Sequence, residues 1–214
     1  MTNSINPKPP VFRYLEQKFI DEFFTSGKLQ LSSFSKFAEH PDEQRHDADE
    51  GWCVVDIKIP TKKMALRSRV GIPKNSYILS TSLKRDPKLM KDFDRDGYFK
   101  INDVEGFGLA IASKIVGLTN LITANCEYMN YKEIGLTMGA EAEEAIEQDE
   151  KGRMNIKKVM ALLRNAIFPE VYFLKLNCHA HQEEFRFVWE VGYEVSEPLI
   201  VECPEAIQYC EKIT

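Results

Sequence analysis

Apolar residues recur at the spacing of an amphipathic helix in two parts of the chain. One set of four ends just before Gly27, where a glycine commonly follows the last helical turn: Phe19, Ile20, Phe23 and Phe24. The second set occupies one face of residues 155–167: Ile156, Val159, Met160, Leu163 and Ile167. Pro169 follows it and ends the pattern, because proline has no backbone N–H to continue a helix. The spacing therefore predicts one helix before Gly27 and another before Pro169.

Shorter apolar segments, rich in β-branched and aromatic residues, predict strands along most of the chain. They are VFRYL (11–15), LQLSSF (29–34), CVVDIKI (53–59), YILSTS (77–82), FGLAIAS (107–113), VYFLKLNC (171–178) and EFRFVWEVGYEV (184–195). The last two alternate between apolar and polar residues, which is typical of half-buried antiparallel strands. Strands concentrate in the first half and near the end, with helices between them, so the pattern predicts the α+β class.

Composition narrows the class of protein further. The chain has 214 residues, of which 43% are hydrophobic and 29% charged, as in a globular protein with one buried core or two small ones. Polar side chains interrupt the longest apolar stretch, residues 107–122, so no membrane span is expected. Residues 1–10 lack the features of a secretion signal. We predict a flexible arm over 1–10, a domain over 11–214 and a cytoplasmic location.

The net charge and the spacing of the cysteines argue against further classes of protein. The net charge of −5 disfavours broad, sequence-independent nucleic-acid binding, which depends on clustered cations. The segment 58–69 is locally basic and is either a loop that faces a polyanion or a solvated connection. The five cysteines show no CxxC spacing, which argues against a disulfide framework and against a structural zinc site.

Two patterns bear on metal binding. The segment DFDRDGYFKIND (92–103) has carboxylates at positions 1, 3, 5 and 12 and glycine at position 6, which resembles a calcium-binding EF-hand loop. Its alternative is a polar surface turn, since Lys100 occupies a usual ligand position. His179 and His181, predicted to share one face of a strand beside Cys178, lack a third ligand at a recognisable spacing. We therefore predict no metal, and expect these histidines to contact substrate or to pack.

Three polar segments stand at the ends of predicted strands. They are Arg13 and Tyr14 in VFRYL, Ser80, Thr81 and Ser82 in YILSTS, and Gln182 and Glu184 at the opening of EFRFVWEV. Their order and placement resemble the Arg-Ser-Glu signature of ADP-ribosyltransferases. Most of the chain also resembles an uncharacterised bacterial domain family found in toxin–antitoxin and phage-defence loci. That second resemblance is carried by VFRYL, GKLQLSSFSKF, YILSTSLKRDPKLMKDF, EGFGLAIAS and HQEEFRFVWEV.

The resemblance implies a single domain with flanking helices, in which a split, mainly antiparallel sheet carries a cleft for NAD as co-substrate. It implies that Glu184 is the catalytic acid, with Glu183 as the alternative, and that Gln182 orients the acceptor. It also implies that NAD is bound by five residues: Arg13, Tyr14, Ser80, Thr81 and Ser82. A carboxylate beside the ribose would stabilise the positive charge that develops as the nicotinamide bond breaks, and a guanidinium can bind phosphate or ribose through two donors.

The resemblance also implies a biological role, for which two classes stay open. As an enzyme, the chain would transfer ADP-ribose from NAD to a nucleic acid such as RNA, or to a protein, as a toxin in phage defence or a toxin–antitoxin system. An antitoxin protein would then be a partner. Gln182 favours an amide or nucleobase acceptor, and residues 62–69 are where an acceptor phosphate is expected. The alternative is a non-enzymatic protein-binding module of a defence system.

Overall fold

The computed structural model describes residues 8–33, 51–60, 63–72, 74–139, 150 and 155–213. Most of the predicted N-terminal arm lies outside these residues. Residue contacts divide the chain into two compact units, the first comprising residues 1–50, 73–126 and 178–214, and the second residues 51–72 and 127–177. In the described part, no helix has both the length and the apolar composition needed to cross a membrane.

The described residues form thirteen strands and four α-helices. In chain order they are β1 (Val11–Leu15), α1 (Gln17–Ser26), β2 (Lys28–Ser33), β3 (Trp52–Ile59), β4 (Met64–Gly71), β5 (Ser76–Ser82), α2 (Pro87–Asp92), β6 (Gly97–Ile101), α3 (Val104–Ala112), β7 (Leu118–Asn125), β8 (Glu127–Met129), β9 (Glu133–Thr137), α4 (Ile156–Ile167), β10 (Leu174–Leu176), β11 (Glu184–Val191), β12 (Leu199–Glu202) and β13 (Cys210–Lys212). Short 3₁₀ helices cover Glu170–Phe173, Asn177–Gln182 and Pro204–Tyr209. The predicted mixture of helices and mainly antiparallel strands is confirmed.

The sheet of the first unit divides into two branches at β5. One edge of β5 pairs with β11 from Ser76 to Ser82, and β11 pairs in turn with β7. The other edge pairs with β2 at Tyr77 and Ile78, but with β1 at Ser82. Beyond β2 lies β12, and beyond β1 lie β6 and β13. All these pairings are antiparallel, so the first unit contains a split antiparallel sheet.

One face of this sheet carries an aromatic core. Phe23 of α1 stacks on Phe99 of β6 with ring centroids 4.9 Å apart, and Phe187 stacks on Trp189 at 5.6 Å. Phe107 of α3 contacts both Phe23 and Phe187 edge to face, which joins the two stacks. Both helices therefore hold the same sheet face through interlocking rings, a preferred aromatic geometry.

The prediction of a strand over residues 107–113 is wrong, because α3 covers most of that segment. Asp103 starts the helix by accepting a hydrogen bond from the backbone N–H of Gly106 at 2.9 Å. Five of the nine helical residues are buried, and the segment is apolar almost throughout. The periodicity of such a sequence cannot show whether it forms a buried strand or a buried helix.

The end of α1 confirms the prediction made from Gly27. This residue has a φ of 75°, and its N–H donates to the carbonyl of Phe23 at 2.7 Å. A Cβ atom at this position would lie 2.3 Å from the backbone of Cys203 and Pro204. Both the left-handed backbone and the close approach of a second chain segment therefore require glycine.

The second unit has its own small sheet and its own core. Strand β3 pairs antiparallel with β4 and parallel with β9, while β8 and β10 form a separate parallel pair. Helix α4, which confirms the prediction over residues 155–167, shares its core with β3, β4 and the 3₁₀ helix after Pro169. Buried members of this core include Val55, Ile57, Leu163 and Val171.

Two predictions in the second unit need correction. The basic segment 58–69 was predicted as a loop, but most of its described residues belong to the end of β3 and to β4, which pair with each other. In β4, Arg67 and Arg69 alternate with Leu66, Ser68 and Val70. Arg67 binds Asp56 and Glu133 at 3.0 and 3.1 Å. The predicted strand over 171–178 is a strand only at Leu174–Leu176, and 3₁₀ helices cover its two ends.

The calcium-loop hypothesis for residues 92–103 is also wrong. Asp92 belongs to α2, residues 97–101 form β6, and Asp103 caps α3. A strand thus occupies the middle of the segment, where an ion-binding loop would have to curl around its ligands. Across the described residues, no group of three or more His, Cys, Asp or Glu side chains could hold a metal ion.

Candidate functional site

The three predicted polar segments lie on neighbouring strands of the split sheet: β1, β5 and β11. Glu184 pairs directly with Ser82, Ser82 with Phe12, and Phe12 with Lys100. Directly paired residues of antiparallel strands place their side chains on the same face. At about 4.8 Å per strand, Phe12 lies about 10 Å from Glu184 along this row. The register therefore forms one continuous row across four strands, with Glu184 at one end.

Glu184 is held by a second charged residue of the same strand. The Nε atom of Arg186 donates to its Oε1 at 2.6 Å, and the two side chains are only 2% and 6% exposed. Residues two apart in a strand share a face, so the sequence already places these charges side by side. The guanidinium compensates the buried carboxylate and fixes its orientation. Arg186 is the residue that sequence reasoning missed, although this i, i+2 spacing was its signal.

The three hydroxyls at the end of β5 have different surroundings. Ser82 donates to the carbonyl of Gln182 at 2.7 Å and accepts from the N–H of Lys84, so it joins two loops. Thr81 donates to the carbonyl of Phe185 on the adjacent strand. The buried Oγ of Ser80 has no hydrogen-bond partner among the described residues. A buried polar atom of this kind needs an explanation, and a bound polar ligand is one. Of these three hydroxyls, Ser80 is thus the one without a hydrogen bond to another described residue, a property it shares with Ser76 at the other end of β5.

Arg13 lies at the fork of the sheet. Its Nη1 donates to the carbonyl of Ser80 at 2.7 Å, between the points where β2 and β1 pair with β5. Because Arg13 follows Phe12 in the strand, its side chain starts from the sheet face opposite to Phe12 and Glu184. Thr81 starts from that opposite face as well. The structure therefore brings Gln182, Glu184, Ser80 and Ser82 together, whereas Arg13 starts from the opposite face and donates to the Ser80 carbonyl.

Tyr14 connects the first strand to the loop after β5. Its hydroxyl donates to the carbonyl of Lys84 at 2.7 Å and accepts from the N–H of Asp86 at 2.8 Å. Burial raises the pKa of Tyr14 above its ordinary value, against the opposing effect of the Asp86 N–H. Tyr14 therefore positions the loop backbone and keeps its proton over the physiological range.

A strained turn precedes the candidate catalytic carboxylate. Glu183 has a φ of 42°, unusual for a residue with a side chain, and its carbonyl accepts from the N–H of Leu83 at 2.9 Å. Glu183 is exposed, whereas Gln182 and Glu184 on either side of it are buried. Left-handed backbone outside glycine clusters at functional sites and has a cost of about 1–3 kcal/mol. The turn separates the two candidate acids, with Glu184 in the sheet and Glu183 in solvent.

The two histidines before this turn are not on a strand, so that prediction is wrong. They lie in the 3₁₀ helix Asn177–Gln182, where Nδ1 of His181 is 3.1 Å from the carbonyl of Cys178. Its Nε2 is 3.8 Å from a carboxylate oxygen of Asp92. His179 is buried. Both ring nitrogens of His181 thus face groups of the first unit.

Comparison with known proteins adds no assignment to this geometry: the chain matches no family model, no curated protein and no solved structure.

Proposed function

We propose that the chain is an NAD-dependent ADP-ribosyltransferase with Glu184 as its catalytic carboxylate. The observation that supports this most is the convergence of the three sequence segments on neighbouring strands, with Glu184 directly paired with Ser82 and Arg13 bonded to Ser80. Nothing in the local sequence requires β1, β5 and β11 to be neighbours. Their adjacency is what a shared binding site for one extended substrate would need.

The described side chains can be given roles in the reaction. The bond between the nicotinamide nitrogen and the ribose carbon breaks, and its electron pair leaves with nicotinamide. The acceptor nucleophile then bonds to that ribose carbon and loses a proton to solvent or a base. Glu184 would stabilise the positive ribose, and Arg186 holds its carboxylate in one orientation. Ser80 would offer the uncommitted hydroxyl for the co-substrate, and Gln182 would orient the acceptor.

The biological role proposed with this activity is that of a toxin acting in the cytoplasm, in phage defence or with a cognate antitoxin protein. Growth of host cells should stop when the wild-type chain is expressed and continue with Glu184→Gln. Equal growth in both cultures would contradict the toxin role.

The transferase test uses NAD labelled in its ADP-ribose part and separate pools of protein, RNA and DNA. We expect one pool to take up label, and Glu184→Gln to lower the rate by a factor of about 10² or more. Glu190→Gln, at the other end of β11 where Asn120 donates to Glu190, controls for the loss of a charge alone. Because Glu184→Gln also leaves buried Arg186 without its ion-pair partner, rates are compared at a temperature where circular dichroism shows both variants folded. Equal rates for Glu184→Gln and wild type would exclude Glu184 and make Glu183 the next residue to test.

A variant without a change of charge separates binding from folding. Ser80→Ala removes a hydroxyl that has no hydrogen-bond partner among the described residues. The thermal midpoint should therefore stay unchanged while the affinity for NAD falls. An unchanged affinity would remove Ser80 from the proposed site.

One observation favours the non-enzymatic alternative, a protein-binding module. Glu184 is buried and bonded to Arg186, as in an ion pair with a purely structural role. Thermal unfolding with and without NAD separates the two classes, because a ligand that binds only the folded state raises its midpoint. No shift at millimolar NAD would favour the binding module.

A further inference from the structure

A strongly basic segment directly follows the last hydroxyl of β5. Residues 84–91 carry four exposed cations against the single carboxylate of Asp86: Lys84, Arg85, Lys88 and Lys91. The N–H of Lys88 and the ammonium of Lys84 hold the pKa of Asp86 below its ordinary value, so this carboxylate is charged and locally engaged. In a chain of net charge −5, the segment is a local positive site rather than part of a general trend.

Arg85 is positioned across an aromatic ring. Its Nε donates to the hydroxyl of Tyr98 at 2.5 Å, and its guanidinium carbon lies 5.4 Å from the ring centroid. No carboxylate among the described residues pairs with Arg85. The Tyr98 ring in turn contacts Phe12 edge to face at 6.1 Å. The guanidinium is therefore exposed and orientated, with its charge available to an anion.

These residues share the sheet face that carries Glu184. Phe12 pairs with Ser82 on one side and with Lys100 on the other, and Tyr98 is paired with Tyr14 one step further along the same two strands. We call Phe12, Tyr98, Arg85 and Lys100 the aromatic–basic surface. Its aromatic part begins about 10 Å from Glu184, two strand spacings away. The backbone beneath Arg85 is fixed by the Tyr14 hydroxyl, so the surface is built on rigid elements.

We propose that the aromatic–basic surface binds a single-stranded polynucleotide. Aromatic rings and a planar guanidinium stack on unpaired bases. The exposed lysines of residues 84–91, together with Lys100, which also lies 3.5 Å from Glu211, would bind the phosphates between them. A duplex keeps its bases stacked inside the helix and offers no faces to these rings. An acidic protein would use the cations but would leave the rings without a role. That this surface binds the acceptor of the enzyme rests on the proposed transferase function. That it binds a polynucleotide is tested separately.

The test measures fluorescence anisotropy of labelled 12-nucleotide single strands, one of RNA and one of DNA, titrated with the full chain. Wild type should bind at least one of them, and Arg85→Ala should weaken binding about tenfold or more, as expected for losing a stacking contact. The slope of log affinity against log salt should fall by about 0.7, the change for one phosphate contact on a single strand. Arg85→Lys keeps the charge, so it should lower the affinity while leaving the slope unchanged.

The matched control is Lys18→Ala, which removes one exposed cation whose ammonium lies 4.7 Å from the ring of Phe19. Its affinity should stay within about twofold of wild type, since the charge of Lys18 is exposed and already paired with Glu16. Equal losses in Lys18→Ala and Arg85→Ala would overturn the proposal. So would the absence of saturable binding, tighter binding of a duplex of the same length, or displacement by polyglutamate as effective as by unlabelled strand, which would indicate an acidic protein ligand.

Glu184→Gln keeps the two proposals separate. This variant should bind the oligonucleotides as wild type does, because Glu184 is not part of the aromatic–basic surface. Oligonucleotide binding without any transfer from NAD would refute the transferase and leave the surface intact. Transfer to protein without oligonucleotide binding would refute the surface and leave the transferase.

Discussion

The ion pair between Glu184 and Arg186 contributes to stability and holds the carboxylate for which a catalytic role is proposed. Leaving one member of a buried pair without its partner costs about 3–5 kcal/mol, whereas replacing both by apolar side chains can be neutral. Arg186→Met should therefore lower the free energy of unfolding by about 3 kcal/mol, and Glu184→Leu with Arg186→Met should recover most of that loss. Urea denaturation of the two single variants and the double variant measures this coupling.

The same set of variants also tests whether the side chains of Glu184 and Arg186 interact. If the destabilisation of the double variant equals the sum of the two single destabilisations, the two side chains are not coupled, and the fixed orientation proposed for the Glu184 carboxylate has no support. The cycle requires two-state unfolding, which coincident fluorescence and circular dichroism transitions establish.

Among the elements, the end of α1 has the least tolerance for substitution. Gly27→Ala should destabilise the chain by more than the 1–2 kcal/mol expected from a left-handed backbone alone, because the added methyl would also overlap the Cys203 backbone. The control is Gly135→Ala in β9, where an added Cβ meets nothing within 4 Å. Denaturation midpoints compare the two. Similar midpoints for both variants would contradict the close approach described for Gly27.

The sequence predicted the elements in which apolar residues recur at a clear period or in which a residue such as glycine or proline marks the end. Helix α1 with Gly27, helix α4 before Pro169, and β11 beginning at Glu184 are confirmed. The strand predicted over 107–113 failed because buried helices and buried strands are both apolar throughout. Strand β4 was missed because the charges of Arg67 and Arg69 hid its alternation with apolar residues.

The candidate site was predictable only in part. Local patterns placed Arg13, the β5 hydroxyls and Glu184 on strands, but strand order depends on contacts between residues far apart in the chain. The fork is of this kind, since Arg13 bonds to a carbonyl 67 residues away. The opposite faces of Arg13 and Glu184 likewise follow from register, which one residue of slip would reverse. The family resemblance and the proposed function remain predictions.

In the whole molecule, two buried cores without common residues belong to two units. Leu163→Ala in the second core should remove about 2–5 kcal/mol of stability, as for other buried leucines. Hydrogen exchange should then accelerate in β3 and α4 much more than in β5 and β11. Mass spectrometry of peptides from both units measures this difference. Equal acceleration everywhere would mean that the chain unfolds as one cooperative unit.

The position of β11 in the sheet has a consequence for protein synthesis. β11 is an interior strand, between β5 and β7, yet its residues 184–191 follow both of them in the chain. A ribosome releases β5 and β7 before the strand that lies between them, so the edges of β5 and β7 that pair with β11 stay unpaired until β11 emerges. Glu184 is synthesised with that strand. The proposed catalytic group is therefore assembled only after β11 has been synthesised, and nascent chains that stop before β11 carry no Glu184.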